Sequence, residues 1–200
     1  MKTVIIKYNA GNTQSVLYAL ERIGTAAIVS DDIETIQSAD RVIFPGVGEA
    51  STAMAYLRER ALDKVIAQLE QPVLGICLGM QLMCTHTTEG NVDCLGIFNT
   101  PVKNFGDLPQ KEEHPLKVPQ IGWNKVYDMQ SPLFKNIPNE TYFYFVHSYY
   151  AEICEDTIGV TKYIQPYTVA LNRNNFYGVQ FHPEKSADYG ELLLKNFLDL

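Results

Sequence analysis

Four short apolar runs punctuate the first half of the chain: TVII (3–6), AAIV (26–29), RVIF (41–44) and PVLGI (72–76). Between them lie segments with helical spacing, such as Val16, Leu17, Leu20 and Ile23. An unbroken apolar run suits a strand covered on both faces, and alternation with helices predicts a mostly parallel sheet flanked by helices. The third connection, 50–71, contains helix formers throughout.

The pattern changes in the second half. From about residue 95 to 140 the chain is rich in proline and predicts loops and short strands. Aromatic-rich runs at 141–153, 168–172 and 176–181 then predict partly antiparallel strands. A last helix is expected from Ser186 to Leu198, with Ser186 as its N-cap. The expected fold is α/β, a mostly parallel central sheet with a mixed or antiparallel region added in the second half. No repeat or flexible linker divides the 200 residues, so they are expected to form one domain.

Three motifs are expected at the carboxyl ends of the parallel strands, where open α/β sheets gather ligands. Gly75-Ile76-Cys77-Leu78-Gly79 has the form of a nucleophile elbow with cysteine in place of serine. The turn strains the nucleophile, the glycines clear space around it, and the helix start that follows favours thiolate. The alternative is a small buried cysteine between incidental glycines. His182-Pro183-Glu184 offers a base and a carboxylate to orient it; in an extended segment both side chains point to one side. By itself this tripeptide reads better as a strand-end histidine beside an exposed glutamate.

The third motif, PGVGEAS (45–51), has two readings. It stands one residue from a dinucleotide-binding glycine fingerprint, but it follows the third strand rather than the first. With a nucleophile nearby, Gly46 and Gly48 would instead let Val47 expose its N–H to a developing oxyanion, together with the N–H of Leu78. His86 and His114 are expected at the surface, and His147 as a core histidine within an aromatic strand.

Composition narrows the classes. A net charge of −7 argues against general affinity for nucleic acid or for an anionic membrane surface. No apolar run approaches the roughly 18 residues of a membrane helix, and the N-terminal run is too short for a signal peptide, so the cytoplasm is expected. The four cysteines form no CxxC pair, which leaves neither a zinc site nor a disulfide framework in view.

GICLGMQ (75–81) and GVQFHPEKS (178–186) together resemble the nucleophile and His/Glu motifs of the class I (triad) glutamine amidotransferases. Within that class, the stretches at 10–24, 44–50, 119–124 and 144–150 resemble the glutaminase subunits of imidazole glycerol phosphate synthases. The likeness spans essentially the whole chain. One departure is Lys7-Tyr8-Asn9, where that family often has Asp-Tyr-Gly.

The resemblance implies a Cys77, His182, Glu184 triad that hydrolyses glutamine through a thioester, without a cofactor. It implies that Gln81 and the backbone around Val47 and Ser148-Tyr149 hold the glutamine. It also implies a separate cyclase subunit that takes up the ammonia in a heterodimer, with Asn12, Trp123, Asn124 and Lys185 at or near the contact. An amidotransferase of vitamin B6 or anthranilate synthesis would share the triad. A non-catalytic binding protein on the same scaffold is the remaining alternative.

Overall fold

The computed structural model describes residues 1–110 and 115–200; the expectation for His114 lies outside them. The first half runs β1 (Thr3–Ile6), α1 (Thr13–Arg22), β2 (Ala27–Ser30), α2 (Ile33–Gln37) and β3 (Arg41–Gly46). It continues through α3 (Ala50–Glu59), α4 (Leu62–Ala67), β4 (Val73–Cys77) and α5 (Leu78–Leu82). Three short strands follow: β5 (His86–Thr87), β6 (Val92–Asp93) and β7 (Val102–Asn104). The second half adds β8 (Gln120–Val126), β9 (Thr141–His147), β10 (Tyr149–Ala151), β11 (Thr157–Lys162), β12 (Pro166–Arg173), β13 (Phe176–Val179) and α6 (Ala187–Leu198).

The main sheet has the order β2-β1-β3-β4-β13-β12-β10-β7-β5-β6, with β11 joined to β12. From β2 to β13 every pairing is parallel, and β13 to β12 begins the antiparallel part. The expected α/β architecture is therefore the one observed. Residues of β1 and β3 alternate between two cores. Val4, Ile6, Val42 and Phe44 pack with Ile36, Leu57, Ile66 and Met80 from α2 to α5. Ile5 and Ile43 pack on the other face with Val16, Leu20, Leu194 and Phe197 from α1 and α6. Coverage on both faces explains why these strands read as continuous apolar runs.

Register sets the position of the motifs. Gly46 lies beside Cys77 across β3 and β4, and Val179 lies beside Ile76 across β13 and β4. All three motifs thus reach one edge, at the carboxyl ends of three adjacent parallel strands. Among the described residues, no helix is long and apolar enough to cross a membrane.

The structure sharpens three local expectations. The helical stretch at 50–71 is two helices, because Ala61 adopts a left-handed conformation with φ of 57° between α3 and α4. That geometry costs a non-glycine residue about 1–2 kcal/mol, and burial of Leu62 and Ile66 beyond the turn offsets it. The run at 141–153 is two strands. β9 pairs with β8 in a separate two-stranded sheet, while β10 crosses into the main sheet, so one ladder cannot contain both. Ser186 does precede α6, but its hydroxyl makes no capping bond. It donates instead to the His182 carbonyl at 2.6 Å and accepts the Tyr144 N–H at 3.0 Å.

Glycine makes the β4-to-α5 turn possible. A methyl group at Gly79 would overlap the Phe44 carbonyl oxygen, and one at Gly75 would stand 2.8 Å from the Met80 nitrogen. We expect Gly79→Ala to cost about 3 kcal/mol, since the obstacle is backbone that cannot swing away. Calorimetry should record a fall in Tm of about 6–12 °C for a chain of this size.

Candidate active site

Cys77 ends β4 and begins α5 with φ of 54° and ψ of −110°, a conformation that L-residues rarely adopt. Strain of this kind costs about 1–3 kcal/mol and persists where the surroundings impose it. Here β3 on one side and β13 on the other fix the strand, and close packing of α5 fixes the turn. The side chain is 7% exposed, at the base of a cavity of about 330 Å³. Leu78 opens α5, so its N–H has no partner within the helix and is available beside the sulfur.

His182 and Glu184 meet, although not through an extended segment. His182 is extended, but residues 183–185 form a 3₁₀ turn that brings the Glu184 Oε1 to 2.8 Å from the His182 Nδ1. β9 clasps this turn: the His182 N–H donates to the Tyr144 carbonyl, while the Tyr144 N–H donates to Ser186. Both triad side chains are almost fully buried, and the second carboxylate oxygen of Glu184 has no partner among the described residues. Burial disfavours the imidazolium, but negative charge on Cys77, hydrogen bonding to Cys77 and the Glu184 carboxylate outweigh it and raise the His182 pKa to about 10. The imidazole is thus protonated at neutral pH and oriented for proton transfer.

The loop over this pair is not aimed at it. Val47 is 41% exposed, Gly48 has φ of +115°, and both line the cavity. The Val47 N–H, however, donates to the Ala10 carbonyl at 2.5 Å. Gly46 is buried beside α5, with its Cβ position 2.7 Å from the Leu78 Cβ. Val47 thus sits in the expected loop, with its N–H turned away from Cys77.

Of the other anticipated residues, Gln81, Ser148 and Tyr149 all line the cavity. The Gln81 amide nitrogen is committed to the Tyr149 carbonyl at 2.9 Å and the Gln180 Oε1 at 2.8 Å. Lys185 lies at the cavity rim. Trp123 is 51% exposed on β8, facing Tyr144 across the ribbon, with the exposed Ile121 on the same strand and the exposed Tyr142 on β9. Asn12 and Asn124 are held locally: Asn12 caps α1 through the Ser15 N–H, and Asn124 donates to the Lys162 carbonyl. His86 pairs at the surface with Asp93, and His147 is buried among Phe105, Phe145 and Tyr167.

The sequence pattern assigned no role to two further residues, Gln180 and Glu89. The Gln180 Nε2 lies 3.6 Å from the Cys77 Sγ, donating to it while its oxygen accepts from Gln81. Glu89 brings a carboxylate to the wall, where burial raises its pKa and a hydrogen bond from the Ala50 N–H opposes that shift. Gln180 lies inside the GVQFHPEKS motif, two residues before His182, whereas Glu89 belongs to no short motif with a recognised spacing. Only the tertiary fold brings Gln180 beside the nucleophile and Glu89 into the same cavity wall.

A strained cysteine at a strand-to-helix turn, with a His/Glu pair following a neighbouring strand, has the geometry of a triad-type hydrolytic or acyl-transfer site. The class-I glutamine amidotransferase family model matches residues 4–200, and the chain belongs to that family. Within it, the chain is 55% identical to the imidazole glycerol phosphate synthase subunit HisH of Bacteroides fragilis, over 200 residues and 100% of both chains. It is 54% identical to the protein of the same name from Bacteroides thetaiotaomicron, again over 100% of both. A solved structure of a putative GMP synthase subunit from Thermoplasma acidophilum shares the fold, with a TM-score of 0.74 at 20% identity. That match covers 100% of this chain and 93% of the other.

His147 provides a pH test of this packing. Burial lowers its pKa to about 4, against a hydrogen bond from Nδ1–H to the Tyr149 carbonyl that favours the proton. Its unfolded value is about 6.5, so between the two pKa values the unfolded chain binds more protons. Stability is present above about pH 6.5 and lost as pH falls through about 4. Urea unfolding should report a loss of about 2 kcal/mol from this group between pH 7.5 and pH 5, and His147→Asn should remove that slope.

Proposed function

We propose that this chain is the glutaminase subunit of an imidazole glycerol phosphate synthase. It hydrolyses glutamine to glutamate and ammonia, and a separate cyclase subunit uses the ammonia in histidine biosynthesis. The observation that carries the reading is the Cys77–His182–Glu184 cluster at the sheet edge, in a chain more than half identical over its whole length to proteins named HisH. An amidotransferase of another pathway would share the triad, and the whole-chain identity favours this one.

In this mechanism, Cys77 attacks the carbonyl carbon of the glutamine side chain. His182, held by Glu184, donates a proton to the departing ammonia, which leaves a glutamyl thioester. Water activated by the now neutral imidazole then attacks the thioester and releases glutamate and the thiolate. The N–H groups of Leu78 and Val47 stabilise the tetrahedral oxyanion in both halves. The Gln180 amide supports the thiolate. Gln81, Ser148 and Tyr149 position the substrate, and Glu89 pairs with its α-ammonium group.

The loop of Gly46, Val47 and Gly48 gives this glutaminase a resting state. While the Val47 N–H is held by Ala10, half of the oxyanion site is missing. Loss of one such donor costs about 10²–10³ in rate. Turning that peptide when the partner's site is occupied would couple the two reactions and limit wasted ammonia. The partner face is the outer side of the β8–β9 ribbon: it runs from Pro119 and Val146 in the cavity wall to the exposed Ile121, Trp123 and Tyr142. A neighbouring groove of about 450 Å³ between Trp123 and Tyr189 extends that surface toward α6. Lys185 at the rim lies between the cavity and this face, and the protein works in the cytoplasm as a heterodimer.

The test is glutamate release by the purified chain, alone and with a cyclase subunit plus its nucleotide ligand. We expect low activity alone, a rise of at least about a hundredfold in the liganded complex, and none in Cys77→Ala. Full activity in the isolated chain would keep the triad and reject the resting state. In the same assay Glu89→Gln should raise the KM for glutamine about tenfold and change kcat little, as expected for lost uniform binding.

A further inference from the structure

Tyr8 is a buried polar side chain that the proposed reaction does not use. Its ring packs 5.2 Å from that of Phe44, and the residue is 6% exposed. Its hydroxyl has no hydrogen-bond partner among the described residues. A buried phenol without an acceptor is destabilising, and such groups call for a specific explanation. The position of the hydroxyl supplies one: it lies directly over Gly46, where a side chain on that residue would collide with it. Burial, and then negative charge on Cys77, push the Tyr8 pKa well above the usual value, so the group remains a donor.

The peptide between Gly46 and Val47 indicates what it could donate to. Its N–H is held by the Ala10 carbonyl, which belongs to the segment following β1. In the sheet, β1 and β4 flank β3 on opposite sides. Because the peptide is trans, the Gly46 carbonyl points away from Ala10, toward β4 and Cys77. That direction places a partial negative charge where the oxyanion would form. Turning the peptide reverses both groups: the N–H faces Cys77, and the carbonyl faces the segment after β1. The Ala10 carbonyl cannot donate to it there, whereas the Tyr8 hydroxyl, in contact with Gly46, can.

We propose that Tyr8 is a positioning residue whose hydroxyl receives the Gly46 carbonyl when the Gly46–Val47 peptide turns its N–H toward Cys77. One short segment then holds both settings, the resting one through the Ala10 carbonyl and the working one through the Tyr8 hydroxyl. The inference rests on the glutaminase reading above. It assigns to Tyr8 no contact with glutamine or with the sulfur.

Tyr8→Phe keeps the ring and removes only the hydroxyl. In the complex with a cyclase subunit plus its nucleotide ligand, the ratio of stimulated to basal kcat should fall about tenfold, the scale of one lost hydrogen bond. The KM for glutamine should not change, and the Tm of the free chain should stay level or rise, because the removed group has no partner in the resting state. An unchanged ratio would overturn the inference. So would a lowered Tm with basal and stimulated rates reduced equally, which marks a packing role. Wild-type protein and Cys77→Ala run alongside: wild type with no glutaminase activity in a proven complex overturns the functional reading, and the inference with it. An active wild type beside an unaltered Tyr8→Phe overturns the inference alone.

Discussion

At Gly79 the backbone of α5 lies so close to β3 that no side chain fits between the helix and the Phe44 carbonyl. This approach constrains everything above it. It forces β4 to turn into α5 within one residue, and that residue is Cys77, held at a positive φ. The same contact buries Gly46 against Leu78 and so anchors the start of the loop that covers the nucleophile. Gly75 and Gly178, adjacent across β4 and β13, leave room for Met80 and Met83 underneath. The elbow is therefore a packing solution before it is a chemical one. Its strain is stored by a core that has no other way to close.

Above this base the site is built from polar groups already engaged with one another. Gln180 spans Cys77 and Gln81, Gln81 also holds the Tyr149 carbonyl, and His147 donates to that same carbonyl. Such a network fixes the cavity walls at little entropic cost when a substrate enters. The His/Glu turn is secured independently by the backbone of Tyr144 and the hydroxyl of Ser186. Against this rigid background, the loop at Val47 is the one part of the machinery facing the wrong way. That contrast is what the proposed control by a partner draws on: it asks a single peptide to turn while the core stays in place.

β1, β3 and β4 were legible in the sequence because burial on both faces favours apolar side chains along their length, and a run such as TVII admits few other readings. The motifs at Cys77 and at His182 and Glu184 were legible because glycines around a turn, and a histidine two residues from a carboxylate, stand in adjacent positions, although the turn that joins His182 to Glu184 was read as extended and is 3₁₀. The break at Ala61, the parting of β9 from β10 at Ser148 and the committed hydroxyl of Ser186 were not legible. Each depends on which distant strand or helix lies alongside, and local propensity carries no information about that.

The alternation of strands and helices, the elbow at Cys77 and the pairing of His182 with Glu184 within one tripeptide are thus properties of the chain read in order. They are local constraints, met by residues within a few positions of one another. Folding in three dimensions was needed to bring Gln180 to the sulfur, Glu89 to the cavity wall and Tyr8 over Gly46, and to point the Val47 N–H at Ala10. These facts join segments that are far apart along the chain or depend on which way a single peptide faces. Both are settled by the order of strands in the sheet rather than by any pattern along it.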